Sequence, residues 1–269
     1  MVRSLLLRGW IIQPGLETSN PAAAVQRYMD VLSGNGLSFV GERVMVFGYG
    51  GRFDIGVGFL QAGATHVILC DKYAPPDEAH NWQLFSADAK YFSITENGLR
   101  PRPEWMTLLQ ADIRELVVLN TIEPVDVVVS NSVYEHLDDV NGITGALASL
   151  TSPNGRHIHF VDLRDHFFKY PFEMLRFSEM IWRNFLNPSS NHNRYRLWDY
   201  RRVFEALFDN VEIRVLSRDK DAFRRIQRFV LPRFLSENAE ENDVTTICII
   251  ATVPVKNSDR ITFNDVELS

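Results

Sequence analysis

Six short runs of apolar, mostly β-branched residues recur along the sequence and constrain its fold more than any other feature. The central runs are apolar throughout instead of alternating, which is typical of strands buried on both faces of a sheet. A weaker run, TLLQA (107–111), is a further strand candidate. The six runs are VMVF (44–47), HVILC (66–70), VDVVVS (125–130), HIHFV (157–161), VEIRVL (211–216) and TTICIIATV (245–253).

Helical patterns lie between these runs. Residues 54–63 end at Gly63, which suits a helix C-cap, and residues 139–150 end before a TSPNG turn. Residues 199–208 have the spacing of an amphipathic helix. Strands and helices that alternate in this way indicate a parallel sheet with crossover helices. The sequence therefore predicts an α/β fold.

Three segments are too long for the minimal alternation of strand and helix: residues 1–40, 72–106 and 162–198. Long connections in compact domains usually carry function or structure of their own. We expect one domain over residues 1–269. Within it, we expect residues 1–40 to form an N-terminal helical cap, and the insertions 72–106 and 162–198 to cover a substrate.

Bulk composition narrows the class of protein. The chain of 269 residues is 45% hydrophobic and 23% charged, as in soluble globular proteins, and its net charge of −6 argues against nucleic-acid binding. Cys70 and Cys248 lie in apolar runs, so we expect buried thiols in a reducing compartment. No apolar run reaches the roughly 18 residues of a membrane span. With no signal-peptide pattern either, we expect a cytoplasmic protein.

A glycine-rich turn, Gly48, Gly50 and Gly51, follows the first strand. Glycine permits positive φ, and a turn between a parallel strand and a helix presents backbone N–H groups to a ligand. Asp71, at the end of the next strand, stands where an acid can accept hydrogen bonds from ribose hydroxyls. The dinucleotide fingerprint G-x-G-x-x-G would need a third glycine where this sequence has Phe53.

Three downstream motifs follow the glycine turn and Asp71 in a recognisable order. They are QADIREL (110–116), VDVVVSNSVYEHLDDV (125–140) and GRHIHFVDLRDHF (155–167). The whole set resembles the class I S-adenosylmethionine-dependent methyltransferases, over residues 40–170 and the closing runs near 211–253. The resemblance implies a Rossmann-like, seven-stranded, mostly parallel sheet with helices on both faces and a C-terminal antiparallel strand pair. Phe47 departs from the family, which usually has an acid just before the glycines.

The resemblance also implies S-adenosyl-L-methionine as the cofactor. In that family the glycine turn contacts the amino acid part of the cofactor, the acid after the second strand binds ribose, and an acid after the third binds adenine. The implied cofactor-binding residues are Gly48, Tyr49, Gly50, Gly51, Asp71, Lys72, Asp112, Ile113 and Asn131. Structural roles stay open for two of them, because Asp71 can cap a loop and Asp112 can be the N-cap of a short helix.

Candidate catalytic residues follow the fourth and fifth strands. They are His136, Asp162, Asp165 and His166. A close Asp and His can act as a base, because the carboxylate sets the imidazole tautomer and raises its basicity. Alternatively, the two aspartates hold Arg164 and loop amides, and His136 fixes its loop. We expect no metal, because the Glu-x-x-Glu-His pattern of some methyltransferases begins here with Ser132.

Two later segments are rich in cations. SNHNRYRLWDYRR (190–202) either closes over a methyl acceptor or forms a polar loop that Asp199 caps at the next helix. Residues 194–233 hold eleven Arg and Lys against six Asp and Glu. Their basic face is either solvated or binds a phosphate-bearing acceptor or an acidic partner. Within residues 218–234, Phe223, Ile226, Phe229 and Val230 have helical spacing, so we expect this apolar stripe to pack on the body.

These features lead to a functional expectation with alternatives. We expect a methyltransferase that O-methylates a small-molecule or sugar-type acceptor, since no Asn-Pro-Pro-Tyr motif follows the fourth strand. A non-catalytic scaffold with the same fold is one alternative, which Phe47 leaves open. An NAD-linked oxidoreductase is another, although its third glycine and a Tyr-x-x-x-Lys constellation are missing from the sequence. Neither a nucleic-acid partner nor a membrane span is expected, and a homodimer stays open.

Overall fold

Strands and helices alternate along the chain in the computed structural model, which describes residues 20–255 except 35, 120, 121, 167, 169 and 188–190. The strands are β1 (Arg43–Phe47), β2 (His66–Cys70), β3 (Phe92–Thr95), β4 (Gly98–Pro101), β5 (Met106–Leu109), β6 (Val125–Asn131), β7 (Thr151–Asp162), β8 (Phe208–Arg218) and β9 (Val244–Pro254). The α-helices are α1 (Pro21–Ser33), α2 (Asp54–Gln61), α3 (Glu78–Asp88), α4 (Ile113–Leu119), α5 (Val140–Ser149), α6 (Glu179–Ile181), α7 (Leu197–Glu205) and α8 (Lys220–Ile226).

Seven of these strands form one sheet in the order β5-β2-β1-β6-β7-β9-β8. The strands from β5 to β7 pair in parallel, and β9 pairs antiparallel with both β7 and β8. The predicted fold class is confirmed, including the closing antiparallel pair and TLLQA as β5. Strand order reverses between β1 and β6, so the crevice at their carboxyl ends is the expected ligand site.

Alternate residues of each strand pack on opposite faces of the sheet. Val44 and Val46 of β1 lie in a core that α1 and α2 cover. Met45 and Phe47 lie in the core on the other face, which α4 and α5 cover. Helices therefore cover both faces, and this double burial explains why the central strands are mostly apolar on both faces instead of alternating.

Helix α1 lies within the predicted N-terminal cap. Asn20 caps its first turn by accepting a hydrogen bond from the amide of Ala23 at 3.2 Å. Tyr28 is fully buried, and its ring centroid lies 5.7 Å from that of Phe59 and 5.2 Å from that of Phe160. The helix thus packs across α2 and β7, while residues 1–19 of the predicted cap lie outside the described part of the chain.

Two local predictions are wrong. TSPNG is not a turn before the strand, because β7 already begins at Thr151, and its register with β6 shifts between Val125 and Val127. The extra residues are accommodated as a bulge. The apolar stripe of 218–234 is not one helix, because α8 ends at Ile226 and short 3₁₀ turns follow. Phe223, Ile226 and Val230 nevertheless pack in a core as predicted, whereas Phe229 is 45% exposed.

The two long insertions have structure of their own. Residues 72–106 hold α3 and the β3–β4 hairpin. The second insertion, 162–198, includes a 3₁₀ turn, α6 and a π-helical turn over Trp182–Leu186, and it packs with residues of 222–234 around one small core. None of the described helices is both long enough and apolar enough to span a membrane. Cys70 and Cys248 are buried free thiols, and burial raises the pKa of both to about 12.

Candidate active site

The glycine turn after β1 adopts the conformation that its sequence predicts. Gly48, Gly50 and Gly51 have φ values of +80°, +71° and +87°, which side chains disfavour. A Cβ atom on Gly48 would lie 2.4 Å from Cγ2 of Val133, and one on Gly51 would lie 2.3 Å from the carbonyl oxygen of Pro75. The chain's own packing therefore already requires two of these glycines, whereas Gly50 is exposed.

Asp71 ties the end of β2 to this turn. Its Oδ2 atom accepts a hydrogen bond from the Gly50 amide at 3.2 Å, and its Oδ1 atom accepts from the amides of Tyr73 and Ala74, both at 2.8 Å. The loop-capping alternative is therefore what the structure shows for this side chain. A carboxylate has about four lone-pair positions, so one remains for a further donor such as a hydroxyl group.

Asp112 is saturated by cations and by its own helix. Lys72 donates to it from Nζ at 2.9 Å, and Arg114 donates from Nη2 at 2.7 Å and from Nε at 3.0 Å. The Arg114 amide also donates at 3.0 Å, so Asp112 caps the start of α4. The Arg114 hydrogen bond holds the pKa of Asp112 well below its usual range, despite partial burial. The candidate Ile113 lies in the core beside it.

Two other cofactor candidates occupy different surroundings. The Tyr49 side chain is buried and stacks on Phe53 with a centroid separation of 6.4 Å, so only its backbone faces the turn. Burial raises the pKa of its phenol, and nearby Asp71 raises it further. Asn131, at the end of β6, accepts a hydrogen bond from Arg27 of α1 at 3.4 Å. Arg27 could not be identified from the sequence, because nothing in α1 indicates that the helix crosses this edge.

Three histidines meet beyond the ends of β6 and β7. The ring centroids of His136 and His166 lie 5.3 Å apart, and His192 lies 5.8 Å from the first and 5.1 Å from the second. The structure thus brings together two of the catalytic candidates with a third histidine. His192 was visible in the 190–202 motif, but the sequence does not indicate that this segment folds back onto β6.

Hydrogen bonds from the 191–193 segment explain how the three rings are held. Asn191 donates to the carbonyl of His136 at 2.8 Å, and Asn193 donates to that of Tyr134 at 2.7 Å. The His192 carbonyl accepts from the Trp182 indole at 3.0 Å. Ser132, Asn191 and Arg194 have positive φ near this cluster. Non-glycine residues in that region carry strain that often marks functional sites.

Asp162 is the acid of this cluster. It lies 3.4 Å from Nε2 of His166 and forms a two-pronged ion pair with Arg164. Burial raises the pKa of this carboxyl, but the hydrogen bonds from His166 and Arg164 outweigh that effect and leave the pKa well below its usual range. Asp162 is therefore ionised. It holds Arg164 in an ion pair, as the alternative structural role predicts, and it also contacts His166.

Asp165, the remaining catalytic candidate, has a different orientation. It is 4% exposed, and its Oδ1 atom accepts from the Phe168 amide at 2.9 Å. Its own amide donates to the Pro171 carbonyl at 3.1 Å. Both bonds close the turn that follows β7, so the geometry supports the loop-holding role for Asp165.

Glu135 is the most unusual carboxyl of the region. It is fully buried, and neither side-chain oxygen has a hydrogen-bond partner among the described residues. Burial raises the pKa of Glu135 well above its usual range, and the nearby charge of Asp162 adds to the shift. The sequence shows a Glu-His pair here, but it does not show that the chain buries the Glu and leaves His136 partly exposed.

His157 and His159 are internal and separate from this cluster. Their rings are joined by a hydrogen bond of 3.1 Å. His157 also forms a hydrogen bond with Thr151, and His159 forms one with Ser130, each at 2.8 Å. Both are fully buried, and burial lowers the pKa of His157 to about 3 and holds the pKa of His159 well below its usual range. They are neutral side chains of β7 that lie in the protein core.

The three-histidine cluster is not arranged for a metal ion. Within the described residues, no group of three or more His, Cys, Asp or Glu has suitable geometry. His192 shows why: its Nδ1 atom accepts a hydrogen bond from the Arg194 amide at 3.3 Å. In a neutral imidazole the other nitrogen then carries the hydrogen and cannot ligate. Burial lowers the pKa of His192 well below its usual range, so the ring is neutral.

Comparisons with known proteins identify the fold. No protein-family model and no curated protein matches the sequence. Among solved structures, a Burkholderia thailandensis 1,6-didemethyltoxoflavin N1-methyltransferase matches with a TM-score of 0.52 at 14% identity, over 94% of this chain and 87% of that one. The chain has the class I methyltransferase fold.

A second methyltransferase-fold structure extends the likeness. Phosphoethanolamine N-methyltransferase 2 of Haemonchus contortus matches with a TM-score of 0.52 at 13% identity, over 95% of this chain and 58% of that one. In this chain, the crevice between β1 and β6 is bordered by the glycine turn, Asp71 and Asn131. The three-histidine cluster lies beyond the ends of β6 and β7, on the neighbouring part of the same edge.

Proposed function

We propose that this chain is an S-adenosylmethionine-dependent methyltransferase. The observation that carries the proposal is the hydrogen bond between Asp71 and the Gly50 amide, which joins the ribose-type acid of β2 to the glycine turn of β1 at the switch point of the sheet. Of the two similar structures described above, the Haemonchus enzyme contains S-adenosyl-L-methionine and the Burkholderia enzyme contains S-adenosylhomocysteine.

The residues present fit this cofactor. The free lone pair of Asp71 suits a ribose hydroxyl, and the exposed Gly50 leaves backbone accessible for the amino acid part. Lys72 and Arg114 already occupy Asp112, so the adenine end would contact this ion-paired group and the adjoining backbone instead of a free carboxylate. Phe47 is buried in the core and supplies no acid. When bound, the cofactor supplies an electrophilic methyl group on a sulfonium centre.

We propose an oxygen acceptor of the small-molecule or sugar type, because the cluster offers a base. Asp162 faces Nε2 of His166, which favours the tautomer with hydrogen on that nitrogen. The Nδ1 lone pair of His166 can then take the proton of a hydroxyl group as it attacks the methyl group. His136 lies beside His166. His192 presents a neutral ring whose Nε2–H has no acceptor among the described residues.

The rival functions make different demands on the same residues. An NAD-linked oxidoreductase would need a small residue at position 53, but Phe53 is fully buried between Tyr49 and Phe92. A nitrogen acceptor with a free lone pair would need positioning without a base. A scaffold would bind the cofactor and transfer nothing, which is compatible with the buried Phe47.

Calorimetric titration of the purified chain with S-adenosylmethionine, and separately with NADH, tests the proposal. We expect micromolar binding of the sulfonium compound alone, with affinity reduced about tenfold or more in Asp71→Ala, which removes a charged hydrogen-bond acceptor. Asp219→Ala is the matched control, because Asp219 caps α8 through the Ala222 amide at 2.9 Å, away from the switch point. Binding of NADH alone, or of neither compound, would overturn the proposal.

A further inference from the structure

One face of the protein combines exposed apolar side chains with arginines. Six of the fourteen exposed large apolar side chains of the described residues lie in 170–186 and 224–235. They are Tyr170, Met180, Ile181, Phe185, Phe229 and Leu235, of which Phe185 is 70% exposed. We call the surface of these two segments the basic–apolar face. Such a concentration of exposed apolar area on one surface usually marks a binding site.

Contacts between the two segments show that they form one continuous surface. The Leu231 amide donates to the Leu175 carbonyl at 3.1 Å. The Arg176 guanidinium lies 4.8 Å from the ring centroid of Phe229, and Arg233 pairs with Glu179 at 2.8 Å. Beneath them, Phe172, Trp182, Phe223 and Phe234 belong to one small core. The apolar and cationic side chains are therefore presented by a single packed unit.

The charge of this face opposes that of the whole chain. The two segments hold six arginines and two glutamates, a net charge of +4, whereas the chain carries −6. An open groove of about 540 Å³ is lined by Arg224, Arg225, Gln227, Arg228 and Leu235. Arg225 and Arg228 have no carboxylate partner among the described residues, while Arg224 lies 3.4 Å from an exposed Asp221. The groove therefore presents guanidinium groups that can bind an anion.

We propose that the basic–apolar face binds the surface of an anionic phospholipid membrane. Arginines attract the negative headgroup layer, and neighbouring aromatic and aliphatic side chains bury their apolar ends at the boundary with the acyl chains. The groove between Arg224 and Leu235 combines both functions, because it joins guanidinium groups to an apolar side chain at one site. The combination fits a lipid surface better than a soluble polyanion, which would leave Met180 and Phe185 in water.

This inference is independent of the proposed methyl transfer, although the chain between His166 and His192 carries Met180 and Phe185. The face would hold the acceptor-side insertion at a membrane. Membrane binding can be measured without cofactor or acceptor, so its failure and the failure of the proposed function are distinguishable. Cofactor titration of the same preparation tests the proposed methyltransferase function alone.

Co-sedimentation with vesicles tests the proposal. The full chain is mixed with vesicles of phosphatidylcholine, or of phosphatidylcholine with phosphatidylglycerol, at low and high salt. We expect binding to the anionic vesicles only, weakened by salt, since surface charges are screened. Arg225→Glu with Arg228→Glu should reduce the partition coefficient about tenfold or more, because each arginine adds to the attraction. Met180→Ser with Phe185→Ser should reduce it as well.

Matched controls lie on β8, outside the face. Arg214→Glu reverses one charge, half the change of the double arginine variant, at an exposed ion pair with Glu212, and Leu216→Ser removes one 43% exposed apolar side chain. Both should bind vesicles as the parent protein does. Equal binding to both vesicle types, no binding, or unchanged binding of the face variants would overturn the proposal. Binding to soluble poly-glutamate without binding to vesicles would assign the face to an acidic protein partner instead.

Discussion

The Oδ2 atom of Asp71 lies 3.2 Å from the amide nitrogen of Gly50, so the acid that ends β2 is joined directly to the turn that ends β1. This bond places a carboxylate and a left-handed glycine at the point where the strand order of the sheet reverses. The proposed cofactor site depends on that relationship.

Substitution of Gly51 tests how rigid the turn is. Gly51→Ala should lower the free energy of unfolding by more than about 1 kcal/mol, because its φ is +87° and the new methyl group would lie 2.3 Å from the Pro75 carbonyl oxygen. Gly145→Ala is the control, since a Cβ there has no atom within 4 Å and the residue lies inside α5. That variant should be stabilised by about 0.5–1 kcal/mol. Urea unfolding of both variants checks this, and equal effects would contradict it.

The buried pair of histidines predicts acid sensitivity. An unfolded histidine takes up its proton near pH 6.5, whereas burial lowers the pKa of His157 to about 3. Between these values the unfolded state binds more protons, so stability falls as the pH falls from about 6.5. His157→Gln removes the titration but keeps hydrogen-bonding groups, and it should reduce the slope by about 1.4 kcal/mol per pH unit. An unchanged slope of unfolding free energy against pH would contradict the neutral buried ring.

Glu135 predicts the opposite dependence on pH. Because burial raises its pKa, its contribution to stability is full below the unfolded pKa and is lost as the pH rises through the folded value. Glu135→Gln does not titrate, so it should be at least as stable as the parent at pH 7, and its advantage should widen toward alkaline pH. Glu173→Gln, at an ion pair with Arg176, should change stability by less than about 0.5 kcal/mol. Urea unfolding across pH measures both variants, and a loss of stability in Glu135→Gln at neutral pH would show that the carboxylate is needed in its charged form.

The base role predicts a selective kinetic loss at His166. Once an acceptor is found, His166→Asn should lower kcat by about 10²–10⁴-fold with little change in cofactor affinity, because proton removal fails while binding persists. His66→Asn is the control, since His66 bonds Thr107 at the opposite, amino-terminal edge of the sheet. Single-turnover transfer of a labelled methyl group measures both. Equal rates in parent and His166→Asn would favour a nitrogen acceptor.

The sheet was predictable because strands that are buried on both faces consist mainly of apolar residues. The runs that became β1, β2 and β6 are mostly apolar on both faces, and their bounds match the prediction within about a residue. The TSPNG segment misled because Pro, Asn and Gly favour turns, yet a bulge in β7 accommodates the same residues. Local propensity cannot show whether such residues end a strand or bend it.

The candidate site was less predictable because its contacts join distant parts of the chain. Asp71 and the glycine turn lie within one strand–helix–strand unit, so their proximity followed from topology. His192 reaches His136 and His166 only because Asn191 and Asn193 bind the turn after β6, and no pattern in the sequence encodes that return. Asp112 was correctly placed after β5, but its pairing with Lys72 and Arg114 could be seen only in three dimensions.

A crystal structure of the chain grown with S-adenosylhomocysteine would show directly whether the crevice between β1 and β6 holds the cofactor. We expect the ribose to lie within hydrogen-bond distance of the Asp71 carboxylate and the amino acid part to lie against the Gly48–Gly51 turn. Density for the ligand at another place, or none at concentrations that saturate binding, would contradict the assignment of this crevice as the cofactor site.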